Sequence, residues 1–326
     1  MTIPEEAALI TTHQDSVTAE DYTNPALSND ANPQGNIDEV APRKINDTLY
    51  FALRNPKVIV AAVIILGMLL LAIIGPFFTT FGVTERIPGA AALPPSRDHF
   101  FGTTLQGQDV FTQFVHGLRN TFLVGILGGG IAGIVGMVLG FTAGYRGGWL
   151  DEVLNAITNV VLVIPAFVVL IIINAYLGVR SVWMQALFIG LSSWPWVARA
   201  VRSQTLSLRA RDYIDLARIT GQRNFTIIRR EVAPNMYSYL FMTFVLLFGG
   251  AVLTAASLDF IGLGPTTRGT TSLGLMMNQA VQWSALSLDM WWWFVVPGAG
   301  ITLIVGAMYI MNVGLDEVFN PKLREM

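Results

Sequence analysis

The 326-residue chain contains no cysteine, so disulfide scaffolds, thiolate-held zinc or iron–sulfur sites and thiol catalysis are excluded. Charge is scarce as well: 13% of the residues are charged and 53% hydrophobic, against roughly 25% charged in a soluble domain. A net charge of −2 argues against a strongly basic nucleic-acid binder. Lysine occurs only at Lys44, Lys57 and Lys322, never after glycine, so a G-x-x-x-x-G-K-[ST] phosphate loop is absent. His13, His99 and His116 stand far apart and form no metal-ligand spacing. Catalysis has little to work with, and the chain cannot by itself draw energy from ATP.

What is abundant is uncharged apolar sequence. Residues 58–78 run 21 positions without a formal charge, which as a helix spans about 31 Å, the thickness of a bilayer's hydrocarbon core. Their distance from the N-terminus argues against a cleaved signal peptide. Further spans are expected at 121–144, 153–177, 182–197, 237–257 and 291–315, giving six transmembrane helices in an all-α integral membrane protein. The fourth is short and contains Pro195; a kinked span or a re-entrant segment fits it. Trp291, Trp292 and Trp293 read as an interfacial belt anchor.

Loop charge sets the expected orientation. With the N-terminus inside, fifteen Lys and Arg fall on inner segments and five on outer ones, so both termini are expected to be cytoplasmic. Residues 1–45 are expected to form a disordered acidic cytoplasmic tail, because 1–41 hold eight acids and no base among polar residues. Residues 46–118 would hold the first span and an extracytoplasmic segment, and 119–326 the main membrane domain.

Inside the second span, Gly128, Ala132, Gly136, Gly140 and Gly144 recur every four positions, with Gly125, Gly129 and Gly133 beside them. One face is nearly bare backbone, suited to close helix packing. Ionisable residues are missing from the span interiors, which weakens the case for a proton- or ion-driven carrier. Notable polar residues of the third span are Asn155, Thr158, Asn159 and Asn174. They fit interhelical hydrogen bonding or the lining of a translocation pathway.

The informative feature is the inner loop at about 199–236, which carries eight arginines between 199 and 230. It reads as two short helices. Asp212 is the expected N-cap of the first, Leu216 and Ile219 share a face, and Gly221 supplies the left-handed position that ends it. The second places Phe225, Ile228 and Val232 on one face and stops at Pro234. Such a hairpin needs something against its apolar face: the membrane surface, its own helix ends or another protein.

The spacing Asp215-Leu216-Ala217, three residues, Gly221, nine residues, Glu231-Val232-Ala233-Pro234 resembles the EAA signature, E-A-A-x3-G-x9-I-x-L-P, of ABC importer membrane subunits. The stretch 98–122 resembles the segment preceding the second span of dipeptide and oligopeptide permeases. GYRGGWLDEV at 144–153 resembles G-Y-x-G-G-x-x-D-E, AASLDFIGLG at 255–264 resembles E-A-x-L-S-F-L-G-L-G, and LDEVFNPKLR at 315–324 resembles their closing motif. Together these point to the C-type subunit of the peptide/nickel group. Asp215 stands where that family has Glu, Leu216 where it has Ala, and Thr104 and Gln108 where it has Asp and Arg.

The resemblance implies a type I ABC importer transmembrane domain, in a bacterial plasma (inner) membrane, that forms half of a peptide pathway. Asp212, Tyr213, Asp215, Leu216, Ala217, Gly221, Phe225 and Pro234 would form the ATPase-docking loop. It implies a heterodimer with a B-type permease, two ATPase subunits that bind ATP and Mg, an extracytoplasmic peptide-binding protein, surrounding lipid, and no cofactor in this chain. Nickel chelates instead of peptides, or a self-contained carrier or channel, are the alternatives.

Overall fold

The computed structural model describes residues 50–178, 181–265, 267 and 269–319. The acidic tail lies outside the described residues. All regular structure among them is helical.

Helix α1 (Pro56–Ile74) starts where Asn55 accepts from the Lys57 and Val58 amides and Pro56 takes the first-turn position. Helix α2 (Val110–Arg146) is capped by Asp109 through the Thr112 amide; its 37 residues span about 55 Å and so overshoot the bilayer core. Next come α3 (Gly148–Val163), α4 (Ala166–Leu177) and α5 (Val182–Arg209). A hairpin of α6 (Asp212–Ile219) and α7 (Asn224–Ile227) follows. The chain continues as α8 (Tyr237–Phe260), α9 (Leu273–Gln282) and α10 (Trp291–Phe319).

Four helical stretches are long and apolar enough to cross a membrane: Pro56–Phe77, Val110–Arg146, Asn224–Phe260 and Trp291–Phe319. The expected third span is not one straight helix. Pro165 has no amide hydrogen to continue the ladder, and α3 and α4 meet at 76° across it, so the pair makes a fifth crossing if counted as one. The expected fourth span runs on to Arg209 as α5, with Pro195 inside the helix. It is long enough to cross, but Gln185, Ser192, Ser193 and Arg199 keep it from matching the others in apolarity.

The two glycine rows of α2 serve different neighbours. A Cβ on Gly136 would lie 2.5 Å from the Val197 Cβ, and one on Gly140 2.8 Å from the Ala198 carbonyl oxygen, so the first row seats α5 against bare backbone. In the second row a Cβ on Gly125 would lie 2.7 Å from the Phe248 ring of α8. This contact is what a polar α5 requires, since packing in lipid comes from close fit and not from solvent exclusion.

The largest core joins α2, α8, α9 and α10 through Leu118, Phe122, Val252, Leu273, Met276, Trp293 and Ile304. The tryptophan run departs from the belt expectation. Trp291 is exposed, but Trp292 and Trp293 are buried, and the Trp292 indole donates to the Thr103 carbonyl at 3.1 Å. The reason is the segment before α2, which folds back over this helix end. Its Thr103 hydroxyl donates to the Ala90 carbonyl, and His99 Nδ1 sits 3.0 Å from the cap residue Asp109.

Candidate docking site

Helix α6 begins with Arg211 at the N-cap, making no side-chain cap bond, so the expected cap Asp212 is instead the first helical residue. Asp212 and Asp215 lie in the first turn, where carboxylates favour the positive end of the helix dipole. At the other end the Gly221 amide donates to the Arg218 carbonyl and the Gln222 amide to the Ala217 carbonyl, 3.0 and 3.2 Å. This is a Schellman closure, and it needs the left-handed φ of +76° that Gly221 adopts.

The second helix is one turn, α7, followed by a π-turn at Ile228–Val232 in which the Ala233 amide reaches back to Ile228 O at 2.8 Å. Pro234 does not stop the chain here. It opens a 3-10 turn, Pro234–Met236, that leads into α8. The extra residue in the π-turn rotates the register, so Phe225, Ile228 and Val232 do not share a face: Phe225 is exposed, Ile228 half-buried and Val232 buried.

The hairpin therefore has two faces. Inward, Ile214, Ala217, Ile227 and Val232 are buried in a cluster with Tyr145 of α2 and Val197 and Val201 of α5. Outward, Leu216 is 63% exposed, Ile219 82% and Phe225 74%, with Tyr213 beside them. Partial burial pushes the Tyr213 phenol above its usual range, so it stays neutral at physiological pH. Pro234 is half-buried at the hairpin's exit.

Asp215 accepts from Arg218 Nη1 at 2.8 Å, and the Arg218 guanidinium lies 5.5 Å from the centre of the Tyr145 ring. The hairpin is thus tied to the last turn of α2. No motif marks Arg218, and Tyr145, although it is the tyrosine of the G-Y-x-G-G-x-x-D-E-like stretch, gives no local sign that it meets the hairpin; the only hint is the i, i+3 spacing of Asp215 and Arg218. Above the hairpin, Arg202 holds Asp151 with two bonds of 2.5 and 2.7 Å, joining α5 to α3.

The three asparagines do not come together. Asn159 Oδ1 accepts from Arg199 Nη2 of α5 at 2.6 Å. Asn155 lies with Thr158 against Ala198 and Arg202. Asn174, beyond the Pro165 bend, is buried and donates to its own helix at Leu170 O, 2.7 Å.

A profile of the family described as "Binding-protein-dependent transport system inner membrane component" matches residues 136–325, from the middle of α2 onward and including the whole hairpin. Among similar proteins, the dipeptide transport system permease protein DppC of Bacillus subtilis (strain 168) is 30% identical over 83% of both chains. The probable D,D-dipeptide transport system permease protein DdpC of Escherichia coli (strain K12) is 32% identical over 82% of this chain and 88% of its own. The oligopeptide transport system permease protein OppC of Bacillus subtilis (strain 168) is 25% identical over 92% of this chain and 97% of its own. With a profile match over more than half its length and such relatives along most of it, the chain belongs to the family of binding-protein-dependent transport system inner membrane components.

Proposed function

We propose that this chain is the C-type permease subunit of an ATP-driven peptide importer, paired with a B-type permease, two ATPase subunits and an extracytoplasmic peptide-binding protein. The observation that carries the reading is the two-faced hairpin. One face is locked to α2 and α5, while the other presents Tyr213, Leu216, Ile219 and Phe225 to a partner. The names of the relatives support a peptide substrate, and the arginine-rich loop supports a cytoplasmic hairpin with both termini on the same side. In this reading α5 is a sixth crossing, shielded by the bare face of α2.

ATP-driven closure of the ATPase pair would displace the hairpin. Its inward face then moves the ends of α2 and α5, tilting them so that the pathway between the two permease subunits opens to alternate sides. The ATPases bind the ATP and Mg; this chain supplies the mechanical link. Co-purification with the ATPase subunits and ATP-dependent uptake in vesicles test the assignment. Gly221→Pro removes the closure of α6 and Asp215→Arg places two cations side by side; both are expected to lose assembly or uptake. Unchanged assembly and uptake in both variants would overturn it.

A further inference from the structure

At the end of α8 opposite the hairpin, Asp259 is buried at 2% exposure. Its Oδ1 accepts from Gln185 Nε2 in the first turn of α5 at 2.6 Å, and its Oδ2 accepts from the Ser272 hydroxyl. Ser272 is also the N-cap of α9, accepting from the Leu275 amide at 3.1 Å. Three helices meet at one carboxylate whose side-chain partners are both neutral.

The surroundings are built to that shape. A Cβ on Gly264 would lie 2.6 Å from Asp259 Oδ1, and one on Gly274 2.8 Å from the Asp259 Cβ. From the far side, Asn120 of α2 donates to the Thr271 carbonyl at 2.6 Å and holds the entry to α9. Beyond α9, Trp283, Leu286 and Leu288 stand exposed. Burying a carboxylate carries a desolvation cost that a serine or an alanine would not incur; what it supplies is a pair of directional acceptors that fix α9 and α5 relative to each other. AASLDFIGLG at 255–264 also departs here from the pattern it resembles, which has an acid at 255 and serine at 259. The acid has moved one helical turn along the same face, and Ala255 lines the same small pocket as Asp259, Gln185 and Ser272.

Helix α5 is continuous from Val182 to Arg209, so it begins at the Asp259 clamp and ends two residues before the hairpin helix α6. We infer that Asp259 is a positioning residue that locks α9 to α5, so that displacement of α9 by the extracytoplasmic binding protein is passed along α5 to the docking hairpin. The inference rests on the proposed function and adds to it the route by which an arriving partner is sensed.

The test is ATP hydrolysis by the assembled importer in proteoliposomes, with and without peptide-loaded binding protein. Asp259→Ala and Gln185→Ala are expected to keep basal hydrolysis and ATPase-subunit binding while stimulation by the binding protein falls roughly fivefold or more, the lower end of a typical coupling. Asp259→Asn, which keeps the shape and an acceptor, is expected to restore most of the stimulation. If Asp259→Ala does not assemble, Gln185→Ala is read alone by the same standard. Unchanged stimulation, or equal losses of basal and stimulated hydrolysis, would overturn the inference. Failure of the unaltered chain to bind ATPase subunits would instead contradict the proposed function.

Discussion

The Arg218 guanidinium lies 5.5 Å from the centre of the Tyr145 ring, joining the first helix of the docking hairpin to the last turn of α2. Such a cation–π contact contributes about 0.5–2 kcal/mol depending on desolvation. It converts a surface loop into an extension of a membrane-spanning helix. With the Asp215 carboxylate bonded to the same guanidinium, the acid of the EAA-like motif acts on α2 through Arg218.

Removing this contact has separable consequences. The Tyr145 hydroxyl is buried and makes no hydrogen bond of good geometry among the described residues, but it lies close enough to the Arg218 guanidinium to favour its charge, so Tyr145→Phe is expected to cost only about 1 kcal/mol or less of thermal stability in detergent. Tyr145→Ala removes the ring and is expected to cost about 3–5 kcal/mol, as for other buried aromatics. A thermal unfolding series on the two variants checks both. Equal melting temperatures would show that the ring does not anchor the hairpin.

At Gly221 nothing lies within 4 Å of an added Cβ, yet φ is +76°. The penalty for Gly221→Ala is therefore conformational, roughly 1–2 kcal/mol, and Gly221→Asn is expected to cost less because asparagine tolerates this region. Gly221→Pro also removes the amide that reaches Arg218 O and should be the most severe. ATPase-subunit recovery in co-purification is expected to follow the order Gly, Asn, Ala, Pro.

The glycine rows give a paired prediction. A Cβ on Gly140 would meet the α5 backbone at 2.8 Å, whereas one on Gly130 would meet nothing within 4 Å. Gly140→Ala is expected to destabilise by roughly 1–3 kcal/mol through overpacking and Gly130→Ala to be silent. Melting temperatures of the two alanine variants should differ accordingly; a silent Gly140→Ala would mean that α2 and α5 are not in backbone contact.

Part of this architecture is legible in the sequence, for identifiable reasons. Period-four glycines on α2 announce a bare face, because helix periodicity is local; that one row meets α5 and the other α8 depends on tertiary packing. Gly221 is legible because a left-handed C′ position selects glycine. Asp212 misleads, since an aspartate is equally at home in the first turn, with Arg211 at the cap. The exposure of Phe225 opposite buried Val232 follows from a π-turn that no residue type signals. Trp292 and Trp293 look like membrane anchors until the segment before α2 folds over Trp292, and Trp293 joins the helix core. Asp259 is visible as an acid in an apolar run, but its partners are 74 and 13 residues away in sequence, so no local pattern connects them.

The acidic N-terminal segment carries its own prediction. Deleting residues 2–40 is expected to leave ATP-dependent uptake in reconstituted vesicles intact, because the family match begins at residue 136 and the first membrane-spanning helix among the described residues at Pro56. Complete loss of uptake would assign that segment an active part in transport.

The central claim is that the outward apolar face of the hairpin is where the ATPase subunits bind. Ile219 and Phe225 are 82% and 74% exposed, so Ile219→Asp with Phe225→Asp should leave the permease's melting temperature within about three degrees. The most direct measurement is the amount of ATPase subunit co-purifying with this double variant. The account predicts its loss from an otherwise intact membrane complex; recovery equal to that with the unaltered chain would contradict it.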